Sequence, residues 1–171
     1  SLHLKGREKW IKWTPRQRAR LLLFVVNNSR FLVLPARQQY PNMASRVLST
    51  RMTTEVREKA QLVYSIGASA RAATTFPGFG VFGASAPTEP SKTQPLVEKL
   101  ASMYAEFAKN GPTEEEMDIA RKQMANTFDE QVKDPGYWSG RIDLMTYQGV
   151  NLDDVVGEPA AFQALTAKQV K

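Results

Sequence analysis

Apolar residues recur at helical spacing over two long stretches in the second half of the chain. Between residues 94 and 109 they lie three or four positions apart, which predicts an amphipathic helix built on Leu96, Val97, Leu100, Met103, Tyr104 and Phe107. A second helix is predicted over 114–133, because Thr113 and Glu116 have the spacing of a capping box. The core face of that second helix is marked by Met117, Ala120, Met124 and Phe128. Two shorter helices are predicted to follow, one over "YWSGRIDLMTYQG" and one over "LDDVVGEPAAFQAL", and Thr166 is predicted to cap a final turn.

A third helix and two strands are predicted before these helices. Residues 44–60 carry a helical apolar pattern at Val47, Leu48, Met52 and Val56. "LVYSIGASA" (62–70) and "FGVFGASA" (79–86) have strand composition, and a hairpin is the simplest connection between them. The prediction is an α+β fold in which a small antiparallel sheet packs against long helices.

The first 43 residues have a different pattern. "TPRQRARLL" reads as a helix with Thr14 as N-cap and Pro15 at the first helical position. "LLFVV" and "RFLVL" are predicted as two short strands around an Asn-rich turn. We expect these strands to help cover an exposed sheet edge of the remaining domain.

Charge also divides the chain near this point. Residues 1–50 contain ten Lys/Arg and one acid, a net charge of +9, whereas residues 51–171 have a net charge of −3. Such a composition break predicts two segments with different partners or origins. We therefore predict a basic N-terminal segment at 1–43 and a separate domain at 44–171.

Composition excludes several kinds of chemistry. The chain has no cysteine and a single histidine, His3, so a two-histidine zinc site or a cysteine nucleophile within this chain is excluded. No apolar run approaches about 18 residues, so no transmembrane helix is expected. No signal peptide is visible, because the charges at Lys5, Arg7, Glu8 and Lys9 interrupt any apolar stretch at the start.

The basic N-terminal segment is one candidate binding surface. Its candidate residues for nucleic acid combine aromatic rings with cations, at Trp10, Trp13, Arg16, Arg18 and Arg20. Aromatic stacking on bases and neutralisation of phosphates would bind nucleic acid. The alternative is a basic surface with its tryptophans in the core, since positive charge alone names no partner.

Arg57 and Tyr64 are the second candidate. In one interpretation Arg57 is a solvated helix charge and Tyr64 a strand residue packed on a helix. In the other, Arg57 lies in the last helical turn and Tyr64 early in the next strand. A short reversal would then bring a guanidinium and a phenol to one edge, where both can donate to a peptide carbonyl.

Residues 44–171 resemble the C-terminal part of a half-repeat of the insulinase-like (M16, pitrilysin) zinc peptidases. The resemblance lies in "SRVLSTRMTTEVREKAQLVYSIGASA", "GFGVFGASAP", "NGPTEEEMDIARKQMANTFDEQVKDPGYW" and "LTAKQVK", in that order. It implies a two-layer sandwich, here truncated, because the family's opening strand and helix and its last helix and strand have no counterpart in the sequence. It also implies a bacterial periplasmic or exported protein that does not enter a membrane.

The resemblance further implies how the chain would act. In that family a separate half carries H-x-x-E-H and zinc, and the C-terminal half closes over the peptide substrate. Arg57 and Tyr64 match the family's R-x6-Y pair, which reaches the substrate. This chain has no H-x-x-E-H. The resemblance therefore implies a non-catalytic, substrate-clamping portion, inactive alone, whose partner half binds the zinc.

A second resemblance concerns residues 12–49. "WTPRQRARLLLFVVNNSRFLVLP" and "YPNMASRVLS" are similar to the N-terminal region of the family that includes Druantia-type anti-phage and transposon-associated proteins. "SRVLS" fits both families, so a junction is expected near residues 45–49 and the chain would be chimeric. The alternative function is nucleic-acid binding or anti-phage defence through the basic segment.

Overall fold

The computed structural model describes residues 20–25, 39–72, 80–149 and 151–171. Helices make up most of these ranges, in chain order α1 (Gln39–Met52), α2 (Thr93–Asn110), α3 (Glu114–Gln131), α4 (Pro135–Gln148), α5 (Leu152–Val156), α6 (Glu158–Gln163) and α7 (Ala167–Val170). A π-helical segment, Thr53–Lys59, continues α1, and a 3-10 turn, Pro90–Lys92, precedes α2. The strands are β1 (Arg20–Val25), β2 (Gly67–Ala72) and β3 (Gly80–Pro87).

The sheet has the strand order β1–β3–β2, with both pairs antiparallel. Ala84 of β3 lies opposite Leu23 of β1 and opposite Ala68 of β2. Residues 22–25 of the predicted strand "LLFVV" therefore lie in β1, which covers one edge of β3, whereas residue 26 lies outside the described residues. "RFLVL" lies outside the described residues, as does most of the predicted helix "TPRQRARLL". The helix prediction is wrong for its last three residues, 20–22, because they belong to β1.

The predicted helices at 94–109 and 114–133 are confirmed as α2 and α3, and the α+β fold class is confirmed with them. Two of the other helix predictions need correction. The first helix begins at Gln39 and not at Ala44. The stretch "LDDVVGEPAAFQAL" forms two helices, α5 and α6, because Pro159 in the first turn of α6 has no N–H to continue the preceding hydrogen-bond ladder.

Strand β2 begins at Gly67, five residues later than predicted. The backbone of Leu62 bonds elsewhere: its N–H donates to Val56 O (3.1 Å), and its carbonyl accepts from Thr88 Oγ1 (3.0 Å). Strand β3 also ends at Pro87, which lacks an N–H for a longer ladder. These hydrogen bonds outside the sheet override the strand composition of "LVYSI".

One buried cluster joins α1, α2, α3 and β3. Its largest fully buried side chains are Met43, Leu48, Met52, Leu96, Leu100 and Met117. The apolar stripe predicted for α2 is confirmed at Leu96, Leu100, Met103 and Phe107. The stripe on α3 is buried at Met117 and Ala120, whereas Met124 and Phe128 are only half-buried. This difference leaves a groove beside β2.

Candidate functional site

The chain reverses direction between α1 and β2 through a widened helical turn. Ala60 N–H donates to Glu55 O at 3.2 Å, a bond five residues apart, and Leu62 N–H reaches back six residues to Val56 O. Gln61 then adopts a left-handed φ of 50°, which ends the helix. Short π-helical segments of this kind are frequent at functional sites.

This turn is fixed to the core on both sides. Val56 before the reversal is fully buried and Val63 after it is 8% exposed. Thr88, a buried polar residue, donates its hydroxyl to Leu62 O, and Lys92 Nζ lies 3.3 Å from Gln61 O. The exposed residues of the turn are therefore held by buried neighbours.

Arg57 and Tyr64 lie together on the outer face of this turn. The Cζ of Arg57 is 5.8 Å from the centroid of the Tyr64 ring, and Tyr64 is 85% exposed. A cation–π contact at such a site contributes about 0.5–1 kcal/mol. The expected juxtaposition is present, but Tyr64 lies in irregular chain before β2 and not in a strand.

The neighbouring charges leave the Arg57 guanidinium available. Hydrogen bonds from Lys59 and then Lys99 lower the pKa of Glu55, so this carboxylate is already paired. Within the described ranges, neither Arg57 nor the Tyr64 hydroxyl has a hydrogen-bond or ion-pair partner. The pair therefore presents a guanidinium fork and a phenol to solvent, both able to donate to a carbonyl oxygen.

Replacing Thr88 by valine is expected to loosen this turn. The change keeps the shape of the side chain but leaves Leu62 O without its donor, which should lower the free energy of unfolding by about 1–2 kcal/mol. Urea denaturation measures the loss. Thr146→Val is the matched control, because Thr146 is exposed and bonds only within α4. Equal stability of the two variants would show that Thr88 does not anchor the turn.

The predicted nucleic-acid residues lie in the N-terminal segment. Trp10, Trp13, Arg16 and Arg18 lie outside the described residues, and for Arg20 the structure describes only its backbone, at the start of β1. The described ranges hold no group of three His, Cys, Asp or Glu arranged to bind a metal ion. With one histidine and no cysteine, the sequence cannot form a two-histidine or a cysteine-ligated zinc site within this chain.

A groove that sequence reasoning missed lies beside β2. Its volume is about 390 Å³, and it is lined by α1, β2, α3, α4 and α6. Met124 and Phe128, which were predicted to lie in the core, line the groove, as do Arg46 and Arg141. A polar stripe at Asn42, Ser45, Arg46 and Ser49, spaced three and four residues apart on α1, was the feature in the sequence that could have indicated it.

The comparison with protein families establishes what class of domain this is. The model of the peptidase M16 inactive domain matches residues 31–124, more than half of the chain. The chain belongs to this family, as its resemblance implied. No curated protein matches the chain significantly by sequence. The described residues contain no helix long and apolar enough to cross a membrane.

Solved structures share the fold. A peptidase M16 inactive domain from Pseudomonas fluorescens has 23% identity and a TM-score of 0.66, over 88% of this chain and 36% of that chain. The periplasmic protease PqqL from Escherichia coli has 15% identity and a TM-score of 0.65, over 83% of this chain and 16% of that chain. A protease from Helicobacter pylori has 15% identity and a TM-score of 0.65, over 78% of this chain and 33% of that chain. The chain thus spans little more than a third of these relatives at most.

The second resemblance finds no support. The family match and the three structures named above are all of M16 domains or proteases, and they give no support to a Druantia-type segment or a chimeric chain. The M16 match begins at residue 31, inside the basic segment predicted at 1–43. The boundary at 43/44 and the nucleic-acid surface stay predictions.

Proposed function

We propose that this chain is the substrate-contacting part of an M16 zinc peptidase whose catalytic residues lie on a separate half. Arg57 and Tyr64 would donate hydrogen bonds to the backbone of a bound peptide near the bond to be cut. The supporting observation is that these two side chains lie together, 5.8 Å apart, on an anchored turn that exposes both to solvent.

The chemistry of the pair suits this role. A guanidinium is permanently charged and offers several N–H donors in a fixed plane, and a phenol adds one O–H donor. Donors directed at a carbonyl oxygen stabilise negative charge that develops there during peptide hydrolysis. The burial of Val56 and Val63 fixes the backbone of the turn that carries the two side chains before substrate arrives.

The partner half would provide what this chain lacks. In the proposed complex, a half with the H-x-x-E-H motif would hold the zinc that supplies the activated water, and this chain would close over the peptide from the opposite side. Hydrolysis would then require both parts, and this chain alone would bind peptide without cutting it. A periplasmic location is part of the proposal, and the likeness in fold to the periplasmic PqqL supports it.

Substitutions at the pair should slow peptide hydrolysis. Arg57→Ala and Tyr64→Phe are each expected to lower kcat/KM about tenfold or more, the effect of losing a hydrogen bond that involves a charged group. The assay is peptide cleavage by this chain reconstituted with a separately expressed H-x-x-E-H half. Zinc content, measured on the same complex, should not change, because the metal lies on the other half.

Two controls separate a substrate contact from general damage. Arg57→Lys keeps the charge but loses the planar fork, so it should fall between wild type and Arg57→Ala. Glu58→Ala alters the exposed neighbour of Arg57 and should leave kcat/KM unchanged. Wild-type kinetics for both Arg57→Ala and Tyr64→Phe in a folded complex would remove the pair from the site.

A further inference from the structure

We propose that the groove beside β2 binds a carboxylate group of an extended peptide, with Arg46 as the cation that holds it. This site would be separate from the Arg57–Tyr64 turn, since neither of those residues lines the groove. Its volume of about 390 Å³ lies within the range of about 300–1,000 Å³ that is usual for binding pockets.

The charges in the groove favour an anion. Arg141 and Glu158 line it together, but Arg141 Nη2 lies 2.9 and 3.1 Å from the two carboxylate oxygens of Glu158, so this pair is neutral. Arg46, half-buried on α1, forms no ion pair or side-chain hydrogen bond with any residue that the structure describes. Among the residues that the structure describes, Arg46 thus lines the groove without a carboxylate to compensate its charge.

The remaining donors fit a carboxylate as well. Three lining hydroxyl groups already donate to backbone carbonyls, those of Ser45, Ser49 and Thr127. Ser69 and Gln131 also line the groove, and no hydrogen bond within the described ranges engages their side chains. Together with Arg46 they offer N–H and O–H groups from α1, β2 and α3. A carboxylate accepts several such bonds, and those from a guanidinium are the strongest.

The backbone of β2 favours a peptide over a free small anion. Ser49 Oγ accepts from Ala68 N–H at 2.8 Å and lies 3.1 Å from Ala68 O, so these two groups point away from β3. Because backbone direction alternates along an antiparallel strand, the N–H and C=O of Ala70 point the same way. Ala68, Ser69 and Ala70 all line the groove. Ser49 occupies the backbone groups of Ala68, so an extended peptide would pair with the N–H and C=O of Ala70 while its carboxylate reaches Arg46.

The carboxylate can come from an acidic side chain or from the peptide's C-terminus, and four rhodamine-labelled octapeptides distinguish these sources. They share a Ser/Thr sequence, carry a central Glu or Gln, and end in a free carboxylate or an amide. Fluorescence anisotropy gives the affinity of the complete chain for each peptide. We expect at least one carboxylate-bearing peptide to bind, and the Gln peptide with the amide end to bind at least about tenfold more weakly.

Variants of the chain complete the test. Arg46→Gln should weaken the binding of the carboxylate peptide at least about tenfold. Lys109→Gln removes an equal charge at the exposed end of α2, outside the groove, and should have no effect. Glu158→Gln should tighten binding, because it removes the carboxylate that neutralises Arg141. A circular-dichroism melt of each variant confirms folding.

The peptide that binds identifies the source of the carboxylate. Binding of the Glu peptide with an amide end assigns the site to acidic side chains, and binding of the Gln peptide with a free end assigns it to C-termini. The proposal is overturned if all four peptides bind equally or none binds. It is also overturned if Arg46→Gln binds like the wild type.

Discussion

Arg51→Ala is expected to lower the free energy of unfolding by about 2–3 kcal/mol. Arg51 joins α1 to α3 through two parallel bonds to Glu116, Nε–Oε1 at 2.8 Å and Nη2–Oε2 at 2.7 Å. The two side chains are only 15% and 25% exposed, so solvent screens the pair weakly. The arginine also lies over the Phe107 ring, with Cζ 5.4 Å from its centroid.

Chemical denaturation of the variant measures this loss, and a surface ion pair provides the control. Lys133 and Glu130 form an ion pair 2.9 Å long, but their side chains are 68% and 77% exposed. Lys133→Ala should therefore change stability by less than about 1 kcal/mol. If Arg51→Ala lowers the free energy of unfolding no more than Lys133→Ala does, the link between α1 and α3 does not stabilise the fold.

The same pair makes stability depend on pH. Burial alone would raise the pKa of Glu116, but bonds from Arg51 and from Thr113 N–H outweigh it and hold the pKa below its ordinary value. A carboxyl whose folded pKa is lowered stabilises the protein above its unfolded pKa and loses that contribution as pH falls through the folded pKa. The stability difference between wild type and Glu116→Gln should thus be present at pH 7 and vanish in acid.

Leu100→Ala is expected to lower the free energy of unfolding by about 2–5 kcal/mol. Leu100 is 1% exposed on α2 and belongs to the core shared with α1 and α3. Removing its three terminal carbons loses their burial and leaves a cavity. Urea denaturation again provides the measurement.

A second leucine gives the control for this prediction. Leu152 at the start of α5 is 45% exposed, so Leu152→Ala should lower stability by less than about 1 kcal/mol. Losses of similar size in the two variants would contradict the assignment of Leu100 to the core.

Local sequence predicted the long helices well because each carries its own boundaries. Thr113 and Glu116 form the predicted capping box, with Thr113 N–H donating to Glu116 Oε2 at 2.8 Å and Glu116 N–H to Thr113 Oγ1 at 3.2 Å. The stripe on α2 is buried as its spacing indicates. Such features depend on residues three or four positions apart and need no knowledge of the rest of the chain.

Features that depend on distant residues were less predictable. The late start of β2 follows from a hydrogen bond between Leu62 and Thr88, 26 residues apart. The groove exists because α3 and α6 leave Met124 and Phe128 half-buried beside β2, a matter of packing between helices. Proximity of Arg57 and Tyr64 was expected, but the π-helical turn that creates it has no recognisable spacing in the sequence.

The most direct test of the central claim is the rate of peptide hydrolysis by a purified M16 half that carries H-x-x-E-H, titrated with this chain. We predict that the chain alone cuts no peptide and that adding it raises the rate to a plateau. Adding the Arg57→Ala chain should form the same complex, with a plateau rate lower by about tenfold or more. A rate that does not respond to the wild-type chain, although the complex forms, would contradict the account, as would hydrolysis by the chain alone.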